Sequence, residues 1–311
     1  MNGSTTLLHE LQRVVKASKA DGTSVCAAGR MRRVSRFAYG AIHQDILQDT
    51  LTVWIKVWLG ARGGVAVTDT LEPRGLRQCL DRALEIARIA PPLKTVPALP
   101  RPSGRRRPAM TAGQNRKTPH HAPQTLKHLF HVCEGLDVAL AGSCMTGTDE
   151  LAVVNSAGVT RYHASGVAGA KLVTMYRALS GFAGAAHPLL ERVNLEAILE
   201  QALKQCLHRT EAVTLPLGAY DVILEPEAIG ELITWLGYTA FGAKSFQERT
   251  SFLAGRIGDR VMAPNVTIYD DGTDPAGLRM PFDFEGTPKR RVLLIDRGNA
   301  AGIVYDSTYG H

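Results

Sequence analysis

The 311-residue sequence has no apolar run approaching the roughly 20 residues that a membrane-spanning helix needs. Its N-terminus, MNGSTTLLHELQRVVKASKADG, lacks the apolar core of a secretion signal and reads instead as an amphipathic helix. The five cysteines, Cys26, Cys79, Cys133, Cys144 and Cys206, are odd in number, widely spaced, and contain no CxxC pair. That pattern argues against a disulfide framework and for reduced thiols. A cytoplasmic protein with no membrane contact is the expectation. There is no GxGxxG behind a strand, no GxxxxGK followed by Ser or Thr, and no GxSxG elbow. Dinucleotide, P-loop and serine-hydrolase chemistry therefore have no signature here. The early GSTT is no phosphate loop, because it lacks the lysine and the preceding strand. No internal repeat is visible.

What is present looks like an ordinary globular chain, 45% hydrophobic and 21% charged, long enough for two domains. Its net charge of +7 is concentrated. Pro91 to Pro123 carries Lys94, Arg101, Arg105, Arg106, Arg107, Arg116 and Lys117 and no acid, so the rest of the chain is neutral. Eight of the 16 prolines lie there too. Such a stretch cannot bury a core and reads as an exposed linker or long loop. Arg105, Arg106 and Arg107 are its candidates for contact with a polyanion. No aromatic residues are interleaved to stack on bases, so nucleic acid is not the expected partner.

Along the chain, residues 6–20 read as a helix, followed by strands in SVCAAGRMRRVSRFAYG and LTVWIKVWLGARGGVAVT. Val53, Ile55 and Val57 alternate with Trp54, Lys56 and Trp58, the period of a strand. A helix then carries the stripe Leu76, Leu80, Leu84 and Ala87, with Asp69 or Thr70 placed to cap it and Pro73 in its first turn. Beyond the basic segment, 124–134 reads as a helix and 150–155, 158–163 and 167–177 as strands, with turns at Ser156–Gly158 and Ala164–Gly166. Asn194 is placed to cap a helix running to about His208. A strand ending in Val222-Ile223-Leu224 leads into EPEAIGELITWL. Shorter strands follow at 266–269, 292–295 and 302–305.

Three groups of residues could carry chemistry. Glu227 and Glu231 lie four apart on the helix that opens at Pro226, so they share a face and repel weakly. They could contact a metal or substrate, or sit near a helix N-terminus where negative charge is favoured by about 0.3–1 kcal/mol. Asp283 and Glu285, two apart on either side of Phe284 and followed by Gly286, would face one side of a strand as cleft-lining groups or would organise a loop. HHAPQTLKHLFHVC places His120, His121, His128, His131 and Cys133 together without a recognised zinc spacing.

Three ordered stretches carry a family resemblance. They are VWLGARGGVAVTDTLEPRGLRQCLDRALEIA, then VVNSAGVTRYHASG, then GAYDVILEPEAIGELITWLG with SFLAGRIGDRVMAPNVTIYDD, PFDFEGTPKRRVLLIDRG and YDSTYG. Together they resemble the TldD/PmbA family of cytoplasmic peptidases, also known as modulators of DNA gyrase. The run Phe282 to Pro288 is the most specific. The family's active subunits carry His-Glu-x-x-x-His at the start of the helix after that strand, with zinc on the histidines. Laid on this chain, the resemblance puts Pro226 at the first histidine, Glu227 at the glutamate and Glu231 at the second histidine. It therefore implies a PmbA-like or TldE-like subunit with no catalytic residues and no metal of its own. Zinc would belong to a TldD-like partner, and the substrate would be an unfolded peptide. A nucleic-acid-associated modulator using the basic segment is the alternative, and a non-functional remnant a third.

The expected fold is α+β. Residues 1–90 and 124–212 would form an N-terminal α/β domain with a mixed sheet and flanking helices, interrupted by the linker at 91–123. Residues 213–311 would begin a β-rich, barrel-like C-terminal domain, expected to be truncated because family members usually continue further.

Overall fold

The computed structural model describes residues 2–102, 123–207, 214–275 and 277–310. Helix α1 (Gly3–Ala17) leads into three strands, β1 (Gly22–Ala38), β2 (Ala41–Leu59) and β3 (Arg62–Thr68), and then into helix α2 (Pro73–Ile89). The same order recurs in α3 (Pro123–Gly135), β4 (Ala139–Asn155), β5 (Thr160–Tyr176), β6 (Leu179–His187) and α4 (Leu195–Leu207). The six strands form one sheet in the order β3-β2-β1-β4-β5-β6. That order is a palindrome about the antiparallel β1–β4 pair. Two αβββα halves are thus related by a local twofold normal to the sheet, a repeat that the sequence does not display.

The sheet is antiparallel throughout, where a mixed sheet was expected. The reason lies in the connections. Tight turns such as Tyr39-Gly40, Gly60-Ala61 and Ser156–Gly158 join the strands, and a short turn can only reverse the chain. The α+β class itself stands. Ala164–Gly166 forms no turn; β5 runs straight through it, paired with β4. The first hairpin also reaches farther than its apolar alternation suggests, because polar residues at 41–50 complete β2 against β1.

All four helices of the two halves cover one face of the sheet. Leu7, Leu11 and Val14 of α1, with Leu76, Leu80, Ala83 and Ala87 of α2, pack on Val25, Ala27, Val53, Ile55 and Val57. In the second half, Leu126 and Leu129 of α3 and Ile198, Leu199 and Ala202 of α4 pack on Phe37, Leu140 and Leu172. Each fully buried leucine contributes roughly 1.5–3 kcal/mol. Two glycines at matching places let the helices approach closely. A Cβ on Gly64 of β3 would lie 2.1 Å from the Ala83 carbonyl oxygen, and one on Gly181 of β6 would lie 2.0 Å from that of Ala202. Of the two expected caps, that of Asn194 forms, whereas the N-cap of α2 is Glu72, which makes no side-chain cap, and neither Asp69 nor Thr70 takes that role. Asn194 Oδ1 accepts from the N–H groups of Glu196 and Ala197 at the start of α4. Thr70 Oγ1 accepts from Glu72 N–H just before α2.

The C-terminal part contains α5 (Pro226–Thr239), α6 (Ala243–Gln247) and a small sheet of β7 (Ile268–Asp270), β8 (Val292–Asp296) and β9 (Asn299–Ala300). Its core is Phe241, Leu253, Leu294, Ile295 and Ile303. The expected strand at 222–224 does not form: among the described residues none pairs with it, and Ile223 is 98% exposed. Residues 302–305 also fall short of a strand, with Val304 making a single parallel bridge to Gly242. Helix α5 buries no residue completely, and Leu232, Trp235 and Tyr238 stay exposed on it. Among the described residues no helix is long and apolar enough to cross a membrane.

Candidate functional site

The second face of the sheet, opposite the helices, is where the two parts of the chain meet. Strand register brings Cys26 beside Trp54 and Val153, and Leu151 beside His163. The loop around Phe282–Pro288 lies on this end of the face. Phe282 is 4% exposed and packs against Cys26, Leu151 and Val153. Phe284 meets Trp54 edge-on, with ring centroids 6.4 Å apart. Gly286 has φ +84°, and a Cβ there would sit 2.6 Å from Val159 Cγ1. Glycine at that position therefore satisfies both the backbone conformation and the close docking.

The two carboxylates of this loop do different things. Asp283 Oδ1 accepts from the N–H groups of Glu285 and Thr287, each at 2.9 Å, and so closes the loop on itself. Glu285 accepts from the Ser307 hydroxyl at 2.6 Å and from its N–H at 3.1 Å, tying the loop to the Tyr305–Tyr309 turn. Behind Glu285 lies a small pocket walled by Cys26, Trp54, Lys56, Trp58, Leu99 and Phe284. The stretch 97–100 roofs it, anchored by Asn155 Nδ2 donating to the Pro100 carbonyl. Burial pushes the Cys26 thiol up to about 12, against the opposing pull of Lys56. It is therefore a protonated core thiol and a poor nucleophile. At about 20 Å³ the pocket has room for a water molecule and little more, so its aromatic walls chiefly pack the loop onto the sheet.

Nearby, a cavity of about 270 Å³ is lined by His163, Ser165, His187, Leu189 and Arg279. His163 Nε2 donates to the Arg279 carbonyl at 2.8 Å, which joins β5 to the C-terminal part. Burial holds the His163 pKa below its usual value.

The helix glutamates lie elsewhere. Pro226, Glu227 and Glu231 are all exposed on α5. Glu231 Oε1 accepts from the Trp235 indole N–H at 3.0 Å, one turn along the same helix. Pro226 offers no donor atom, and two exposed carboxylates, one already engaged, do not make a zinc site, which calls for imidazole, thiolate or three converging ligands. Among the described residues no three His, Cys, Asp or Glu side chains converge to hold a metal ion. His128 and His131 are exposed on α3, with His131 beside Glu134, whereas Cys133 is buried in the core. Arg105, Arg106, Arg107, His120 and His121 lie outside the described residues.

The sequence marked Asp283, Glu285 and Gly286. It did not mark Cys26, Lys56, Trp58 or Ser307 as their neighbours. YDSTYG was the one signal that could have pointed to Ser307.

Residues 217–311 match the family model of the PmbA/TldA metallopeptidase C-terminal domain. An uncharacterized protein of Methanocaldococcus jannaschii is 34% identical over 87 residues, 28% of this chain and 21% of its own length. A metalloprotease TldD homolog of Haemophilus influenzae is 32% identical over 117 residues, 36% of this chain and 24% of its own. The matched segments thus span about a quarter or less of these curated relatives. The fold of TldE from Thermococcus kodakarensis superposes with a TM-score of 0.76 at 22% identity, over 98% of this chain and 72% of that one. A Thermotoga maritima protein whose name ties it to modulation of a DNA gyrase gives 0.81 at 20% identity, over 97% and 72%. The C-terminal third thus resembles the PmbA/TldA metallopeptidase C-terminal domain, and nearly the whole chain shares the fold of TldE and of the Thermotoga maritima protein.

Proposed function

We propose that this chain is the non-catalytic subunit of a TldD/PmbA-type peptidase that acts on unfolded peptides in the cytoplasm, paired with a zinc-bearing TldD-like subunit. The observation that carries this reading is the start of α5. A proline stands where the family's first zinc ligand would be, and Glu231 is engaged by Trp235. A chain without a metal site contributes to such an enzyme by shape. Its broad sheet face is a surface against which an extended peptide can be held. The exposed apolar side chains of α5 and of residues 215–224 suit burial against a partner subunit.

The test is co-expression with a family member that carries His-Glu-x-x-x-His, with the tag on this chain only. Co-elution of both chains in one size-exclusion peak, with cleavage of unstructured peptides and zinc in the partner, is expected. Stoichiometric zinc and peptidase activity in this chain alone would overturn the reading.

A further inference from the structure

We infer that the uncovered half of the sheet's second face holds an acidic stretch of extended polypeptide. The inference rests on the peptide-handling reading above and names the kind of peptide. Strand register places Arg30, Arg32 and Arg36 of β1 on this face, and Lys171 of β5 joins them across Ser143 of β4. Arg30, Arg36 and Lys171 are exposed. Among the described residues the helices pack on the other face, and the C-terminal part covers the end near Cys26 and Leu151 and borders Ser165 through Pro275, Gly277 and Arg279. Among the described strand residues of this face the one acid is Asp149, already paired with Arg32 at 2.6 Å and with Arg30 at 3.6 Å. The patch therefore has a clear excess of positive charge.

Its geometry suits an extended chain. Same-face neighbours along a strand lie about 6.8 Å apart, the repeat at which alternate side chains of an extended peptide project. Arg30 and Arg36 stand about 20 Å apart along β1, and Lys171 lies about 10 Å across two strand spacings from Arg36. A nucleic acid would want aromatic platforms between the cations. Here Phe182, on edge strand β6, is the one aromatic of the uncovered half among the described residues.

The test is fluorescence anisotropy on the full chain alone, with no partner and no cleavage, so it can succeed or fail independently of the subunit reading. The probes are labelled peptides of about a dozen residues, long enough to span the patch: alternating Glu-Ser, alternating Gln-Ser and alternating Lys-Ser. An oligothymidine of similar length is the fourth. The Glu-Ser peptide is expected to bind best, more weakly as salt rises. The triple variant Arg30→Gln, Arg36→Gln, Lys171→Gln should weaken it by about tenfold or more, with an unchanged melting curve. The variant Arg105→Gln, Arg106→Gln, Arg107→Gln should leave it as it was. Equal binding of the Glu-Ser and Gln-Ser peptides would overturn the inference. So would tighter binding of the oligothymidine, or a loss that follows Arg105–Arg107 in place of the sheet residues.

Discussion

Cys26 lies beneath Phe282 with a thiol raised to about 12, first by burial and then by Asp283, with Lys56 opposing. In an unfolded chain the same thiol titrates near 9.0. Above that pH the unfolded state loses a proton that the folded state keeps. The contribution of this group is therefore complete below about 9 and is lost as pH rises from 9.0 toward 12, at about 1.4 kcal/mol per pH unit. Cys133 and Cys144 are shifted in the same direction by burial. Urea unfolding between pH 8 and pH 10.5 should show stability falling less steeply in Cys26→Ala than in the parent, by about one proton's worth of slope. Equal slopes would mean that the folded chain does not hold that proton. Nothing in the sequence pattern singles out Cys26. Its significance comes from Trp54, Val153 and Phe282, which are distant along the chain and adjacent only across the sheet and the docked loop.

At the scale of elements, the α4 cap was visible in the sequence because its physics is local. Asn194 precedes an apolar stripe, and its side chain can reach only the next few N–H groups. Asn194→Ala should lower stability by about 1 kcal/mol, read as a shift in the denaturation midpoint with the slope unchanged. An unshifted midpoint would mean that the two bonds to Glu196 and Ala197 contribute nothing net. The helices α2 and α4 were legible for the same reason, through periodic leucines. The long strands were legible only in part. Residues 41–50 alternate poorly because neither face there is deeply buried, so pairing with β1, and not their own pattern, makes them a strand. The run Val222-Ile223-Leu224 failed in the opposite sense. It has strand composition, but among the described residues no strand pairs with it. β-propensity is a preference for a half-buried pleated surface, and without that surface it specifies little.

Over the whole molecule, the Phe282 loop is the clasp between the C-terminal part and the sheet. Phe282→Ala removes its buried anchor and should cost about 3–5 kcal/mol. The loss should appear as an early unfolding step reported by Trp54, which touches Phe284, ahead of the change in far-UV circular dichroism. Coincident transitions with a small shift would show that the remaining contacts, among them His163 with Arg279, suffice to hold the parts together. The resemblance of the Phe282–Pro288 run marked this loop as special. Its docking on β1 and β4 was hidden, because it depends on which face of the sheet the helices leave open. The twofold arrangement of the two αβββα halves was hidden too, since it is preserved by small residues such as Gly64 and Gly181 and not by a shared motif. That arrangement has a kinetic consequence. Each half closes through short hairpins that form within microseconds, whereas β1 must find β4 across the whole intervening chain. The halves meet like two subunits of a dimer joined by a tether, and the tether sets the effective concentration of one for the other. The connecting chain includes residues 91–123, of which 97–100 are held against the sheet. Doubling the tether's length would cost only about 0.6 kcal/mol of closure entropy, so the fold can carry a segment of almost any length there and leave its sequence to other uses.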